Sequence, residues 1–114
     1  MPYIHVKVSN KLGEETLTAL KSALGQAITA IPGKSEAYLM VCIEEEARLW
    51  FAGENNRPMA FVDVRILGRA RPEDYSRMTG VLCDQLEKLA GIAPTDVYVT
   101  YAEVENWGWN RKNF

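Results

Sequence analysis

Pro2 is the residue with the most specific chemistry to offer. Aminopeptidases remove an initiator Met before a small residue such as Pro, so the mature chain would begin with a secondary amine. An ordinary α-amino group has a pKa of about 7.7–8. Burial in an apolar pocket or a neighbouring cation lowers it. The amine is then free base at neutral pH and positioned to take a proton. Met-Pro starts are common on composition alone, so the position by itself assigns nothing. Lys34 directly follows Pro32-Gly33 and offers a cation for a substrate carboxylate. The plain alternative is a solvated lysine complementing a negative helix end. Tyr98 carries a hydroxyl that could orient a ligand. Asp63 and Arg65 fall on one strand face and are expected to pair with each other. Trp107, Trp109 and Phe114 crowd a terminus that would otherwise fray, so they must dock on something apolar.

Other chemistries are poorly supplied. One His (His5) and two Cys (Cys42, Cys83) are too few for a zinc cage of His and Cys, for a disulfide scaffold, or for a Ser-His-Asp triad with a spare His. Neither a metal nor a cofactor is expected, and each Cys is read as a small buried hydrophobe. No GxGxxG, Walker or HExxH pattern is present. The 13 basic and 15 acidic side chains leave a net charge of −2, and Arg69-Ala70-Arg71 is too short for a nucleic-acid patch. Glu44-Glu45-Glu46 is read as a solvated turn. The start alternates in polarity rather than forming a signal sequence, and no run approaches the ~20 apolar residues of a membrane span. A cytoplasmic protein without nucleic-acid or membrane partners is expected.

The elements that must hold these residues follow from periodicity. Residues 2–8 alternate with the period of a strand. From Glu14 the period changes: Leu17, Leu20, Leu24, Ala27, Ile28 and Ile31 share a helical face, until Pro32-Gly33 stops the helix. Tyr38 to Ile43 reads as a second strand, and Leu49-Trp50-Phe51 as a minor one. Residues 53–58 form a loop. Met59 to Leu67 is the third strand. A second helix begins at Pro72, with Glu73 and Asp74 in its first turn and Gly91 as its cap. Val97 to Tyr101 is the fourth strand. The order is β-α-β twice, a weak internal duplication. Each half should be a parallel crossover, and the fold class is α/β: two β-α-β units forming a four-stranded mixed sheet with two helices on one face. Residues 1–114 read as a single domain.

One parity of the strands is aliphatic (Ile4, Val6, Val8, Leu39, Val41, Ile43, Val62, Val64, Val97, Val99) and should face the helices. The other carries Tyr3, His5, Lys7, Tyr38, Met40, Cys42, Met59, Phe61, Asp63, Arg65, Tyr98 and Thr100. It is too aromatic for a solvated face, and further copies of the chain are the simplest cover.

Taken together, Met1-Pro2, Pro32-Gly33-Lys34, Leu49-Trp50-Phe51-Ala52-Gly53, Leu67-Gly68, Asp96-Val97-Tyr98-Val99 and Gly108-Trp109-Asn110 with Phe114 have an order and spacing that resemble the macrophage migration inhibitory factor family of the tautomerase superfamily. The resemblance runs end to end. It implies a homotrimer whose sheets wrap a central channel. It implies that Pro2 is a general base moving a proton between carbon and oxygen of keto acids such as phenylpyruvate. By the same resemblance Lys34 holds the substrate carboxylate, Leu67 replaces a pocket Ile, Tyr98 reaches in from a neighbouring subunit, and Trp109 and Phe114 form an aromatic wall. Thr100 stands where the family has a pocket Asn. The family's Cys-x-x-Cys segment is Met59-Ala60-Phe61-Val62 here, which removes the basis for thiol oxidoreduction.

The reading that follows is a cofactor-independent keto–enol tautomerase for a small 2-keto acid or enol. The alternative is a non-catalytic trimeric ligand-binding or signalling module of the same fold.

Overall fold

A computed structural model describes residues 1–114. Strands β1 (Pro2–Val8), β2 (Met40–Glu44), β3 (Ala60–Leu67) and β4 (Val97–Val104) form one sheet in the order β2-β1-β3-β4. The helix α1 (Glu14–Ala27) connects β1 to β2, and α2 (Pro72–Ala90) connects β3 to β4; both strand pairs are parallel. The central pair, β1 and β3, is antiparallel, so two β-α-β halves meet back to back. This is the α/β, mixed-sheet arrangement expected from the periodicity.

The aliphatic parity of β1 and β3 is the core, while Leu39 just before β2 and Val41, Ile43 and Val99 on the outer strands pack against it half-buried. Ile4, Val6, Val8, Val62, Val64 and Ile66 are at most 1% exposed. They join Leu20, Leu24 and Ala27 of α1 and Met78, Leu82 and Leu86 of α2 in one cluster, so both helices cover the same sheet face. The ends of α2 are fixed by local chemistry. The Asp74 carboxylate accepts the Arg71 N–H at 3.1 Å and an Arg77 guanidinium N–H at 2.7 Å. Gly91 adopts φ 68°, which lets its N–H reach the Glu87 carbonyl and the Ile92 N–H reach that of Leu86.

Several boundaries differ from the sequence reading. The helix expected to run to Ile31 ends at Ala27 and tightens into a 3₁₀ turn over Ile28–Ala30, although Ile28 and Ile31 remain buried. Tyr38 closes a second 3₁₀ turn, Glu36–Tyr38, rather than opening β2. Leu49-Trp50-Phe51 is no strand. Only Phe51 pairs, with Glu54, around a turn in which Ala52 and Gly53 have φ of 53° and 79°. Met59 lies just before β3 and is buried, not on the wetter face, because its backbone exchanges hydrogen bonds with Ser9. The triplet Glu44-Glu45-Glu46 is more than a solvated turn: the Glu44 carboxylate accepts from the His5 Nε2–H at 2.7 Å, and Glu45 accepts the Leu12 N–H at 2.6 Å. β4 extends three residues beyond Tyr101. The aromatic tail folds into a hairpin, β5 (Gly108–Trp109) and β6 (Lys112–Asn113), whose turn holds Asn110 and Arg111 at positive φ.

The opposite sheet face stays uncovered in one chain. Met40 is 69% exposed and Tyr98 59%, with Phe61 also exposed. Asp63 and Arg65 pair there at 3.5 Å, as their shared face required. No helix is long and apolar enough to cross a membrane.

Candidate active site

β1 begins at Pro2, so the N-terminus is delivered to one end of the sheet. Pro2 is buried and lies opposite Ile66 in the β1–β3 register. The Leu67 N–H donates to the Met1 carbonyl at 2.9 Å, which continues that ladder by one bond. The Leu67 carbonyl in turn accepts from Lys34 Nζ at 2.9 Å. One residue, through its backbone, thus aligns both the chain start and the lysine. Lys34 reaches this position because Pro32-Gly33 turns the chain after the 3₁₀ segment, with Gly33 at φ 80°.

The consequence is electrostatic. Burial, then the Lys34 ammonium and its hydrogen bonding, lower the Met1 α-amino pKa from its ordinary 8.0. Beside this amine opens a cavity of about 960 Å³. Its wall is mainly apolar and includes Pro2, Tyr38, Met40, Trp107 and Trp109, with Arg65 at its edge. Tyr38 meets Trp109 edge to face at 6.0 Å, and Phe114 stacks behind Trp109 at 6.3 Å. Two cations, Lys34 beside the chain start and Arg65 in the cavity wall, together with a desolvated amine and an aromatic wall can hold a small organic anion and exchange a proton with it.

The sequence profile of the macrophage migration inhibitory factor (MIF) family matches residues 1–113. The chain belongs to the MIF family. Mouse macrophage migration inhibitory factor (Mus musculus) is 30% identical over 98 residues, 82% of each chain. MIF2 of Leishmania major has a TM-score of 0.91 at 29% identity, over 100% of this chain and 97% of that one. Pt0534, solved after inactivation by 2-oxo-3-pentynoate, shares the fold with a TM-score of 0.84 at 20% identity, over 95% of this chain and 92% of that one.

The residues that the MIF resemblance singles out separate into two groups. Pro2, Lys34, Leu67, Trp109 and Phe114 gather around the chain start, Leu67 through its backbone and Phe114 as backing for Trp109. Tyr98 and Thr100 do not. In register Tyr98 pairs with Phe61 and Thr100 with Asp63, whereas Pro2 pairs with Ile66. Five residues of β3 at ~3.3 Å each put Tyr98 about 17 Å along the sheet from Pro2. Within one chain Tyr98 instead packs on Phe51, ring centroids 4.9 Å apart.

Tyr38, Met40 and Arg65 line the cavity; the sequence places all three on the uncovered face, with Arg65 also expected to pair with Asp63. The signal that places them is register. Tyr3 pairs with Met40 on one side and Arg65 on the other, so these two flank the strand that starts at Pro2, and Tyr38 lies two residues before Met40. The His and Cys count argued against a metal cage, yet a carboxylate also counts as a donor. His5, Cys42 and Glu44 bring their donor atoms within 4.8 Å of one another, one strand repeat beyond Tyr3.

Proposed function

We propose that the chain, once Met1 is removed, is a cofactor-independent keto–enol tautomerase of small 2-keto acids, with Pro2 as its general base. The observation that carries this reading is geometric: the chain start and Lys34 are both held by the Leu67 backbone beside a mainly apolar cavity that Pro2 lines, where burial and the Lys34 charge lower the pKa of the α-amino group. Removing Met1 moves the amine one residue into the chain, onto a side chain that is already buried.

In the enol-to-keto direction the Pro2 lone pair takes the enol O–H proton. The freed O–H electron pair forms the C=O bond, and the C=C pair takes the same proton from the prolinium at the adjacent carbon. The substrate is isomerised, the amine is regenerated, and nothing is oxidised or reduced. Lys34 has two N–H donors left after its bond to Leu67, enough for a substrate carboxylate. Tyr38, Met40, Trp107 and Trp109 would take the aryl or alkyl part and keep water from the base. The inactivation of Pt0534 by 2-oxo-3-pentynoate, itself a 2-keto acid, supports this ligand class.

The proposal includes a homotrimer. Tyr98 and Thr100 lie too far along the sheet to serve their own chain's Pro2, so they would serve a neighbour's. The exposed Met40, Phe61 and Tyr98 give the apolar surface that such an assembly would cover. The experiment is a phenylpyruvate tautomerase assay on Met-free protein of confirmed intact mass. Catalysis without added cofactor supports the reading. No catalysis with a free Pro2 amine and an intact trimer favours the ligand-binding module.

A further inference from the structure

On the uncovered sheet face, one strand repeat beyond the cavity-lining Tyr3 and Met40, three side chains of different donor chemistry converge. His5 of β1 lies directly opposite Cys42 of β2, and Glu44 is one strand repeat further along on the same face. His5 Nε2 and a Glu44 carboxylate oxygen are 2.7 Å apart, and all three donor atoms lie within 4.8 Å of one another. Both Cys are free thiols. We propose that His5, Cys42 and Glu44 form a binding site for a divalent transition-metal ion of the zinc type.

The donor set fits that ion. Imidazole, thiolate and carboxylate are the three side-chain ligands that zinc takes. The thiolate and the carboxylate together carry −2, so a +2 ion leaves the site neutral beside a neutral imidazole. The donor separations, from 2.7 Å up to at most 4.8 Å, bracket those of a tetrahedral face. Zn–N and Zn–O bonds of about 2.0–2.2 Å and a Zn–S bond of about 2.3 Å imply donor separations of about 3.4–3.6 Å. The His5–Glu44 contact must open by roughly 0.7–0.9 Å, and the widest separation must close by at most about 1.4 Å, within reach of small side-chain rotations. The backbone need not move, because the parallel β1–β2 register already fixes the three Cα positions. Three protein donors leave a fourth position for water.

The surroundings are mixed in charge. Asp63 faces His5 from β3 and adds negative potential, while Arg65 pairs with Asp63 at 3.5 Å. Lys7 lies opposite Glu44 in register but is exposed, so its ammonium has solvent available. Hard oxygen-seeking cations such as Mg²⁺ are disfavoured by the sulfur and nitrogen donors. The site is separate from the proposed base: it uses neither Pro2 nor Lys34 and does not need Met1 removed.

The test titrates the full-length protein, with thiols reduced, by Co²⁺ alone under anaerobic conditions, followed by Zn²⁺ competition. The expected result is one Co²⁺ per chain with a near-ultraviolet thiolate-to-cobalt absorption, displaced by one equivalent of Zn²⁺. Cys42→Ser should abolish that absorption, and Cys42→Ser or His5→Gln should each weaken Zn²⁺ binding by more than about 100-fold, since even indirect partners of metal ligands are worth 10- to 100-fold. Cys83→Ser, on the far side of the molecule in α2, should change neither. Circular dichroism identifies any variant that has lost its fold, and Glu44→Gln then supplies the comparison. A stoichiometric Co²⁺ complex without thiolate absorption, or Zn²⁺ affinity unchanged in a folded Cys42→Ser protein, overturns the site and leaves the three residues as a His–Glu ion pair beside a thiol.

Discussion

Lys34→Ala is the substitution whose consequences the geometry divides most clearly. The ammonium makes one hydrogen bond, to the Leu67 carbonyl at 2.9 Å, and lies beside the N-terminal amine. Losing a charge-assisted hydrogen bond to a substrate carboxylate costs about 1.5–3 kcal/mol. At ~1.4 kcal/mol per decade that is about 10- to 150-fold in kcat/KM. From sequence alone, an exposed lysine would leave stability untouched. The structure corrects that expectation, because the bond to Leu67 is partly buried. Its loss should cost about 1 kcal/mol, or roughly 5 °C in Tm for a domain of this size. The assay is phenylpyruvate ketonisation on Met-free protein, with thermal unfolding measured on the same samples. A 5 °C fall in Tm with unchanged kcat/KM would refute the reasoning. Lys34 would then be a structural strut, and the carboxylate would belong to another cation, with Arg65 at the cavity edge the first to examine.

Light scattering at micromolar concentration should give about 38 kDa, three times the 12.8 kDa chain; a monomer mass would remove the proposed neighbour for Tyr98. Leu82→Ala, at a site 1% exposed in the shared core of both helices, should lose about 2–5 kcal/mol in urea unfolding; a loss under about 1 kcal/mol would mean that the two helices do not share one core. The Asp74 carboxyl is held below its ordinary 3.8 first by the Arg71 N–H and then by Arg77. A depressed carboxyl stabilises the fold above its unfolded pKa, and that contribution is lost as pH falls through the lower folded pKa. The urea midpoint of the wild type should therefore exceed that of Asp74→Asn at pH 7, with the gap closing below about pH 3.8; a gap independent of pH would contradict the ionic cap.

The sheet and both helices are legible in the sequence because their signals are local. Ile4, Val6 and Val8 alternate, Leu20 and Leu24 repeat with the helical period, and Gly91 marks the left-handed residue at which α2 ends. Pro2 and Lys34 were legible as chemistry, but their meeting was not. It depends on the Leu67 backbone, whose bonds are invisible to residue type. The cavity wall also came from register: Met40 is an ordinary strand residue until β2 is paired with β1, and Tyr38 enters the wall from the turn just before it. A 3₁₀ turn replaced the expected strand start at Tyr38 because Ser35 accepts the Ala37 N–H at 3.3 Å, a local competitor that periodicity does not weigh. The convergence of His5, Cys42 and Glu44 was hidden for a related reason. Cys42 and Glu44 lie close in sequence, but His5 joins them only through parallel pairing.

The nitrogen of Pro2 is tested most directly by the tautomerase activity of the same chain with Met1 removed and with Met1 retained, each form verified by intact mass. In the retained form the Pro2 nitrogen is an amide without a basic lone pair, whereas in the Met-free form it is a secondary amine subject to the burial and the Lys34 field that lower the Met1 amine. Activity is expected only in the Met-free form, rising with pH through an amine pKa below the ordinary α-amino range. Equal activity in the two forms would contradict it, because an amide nitrogen cannot act as the general base.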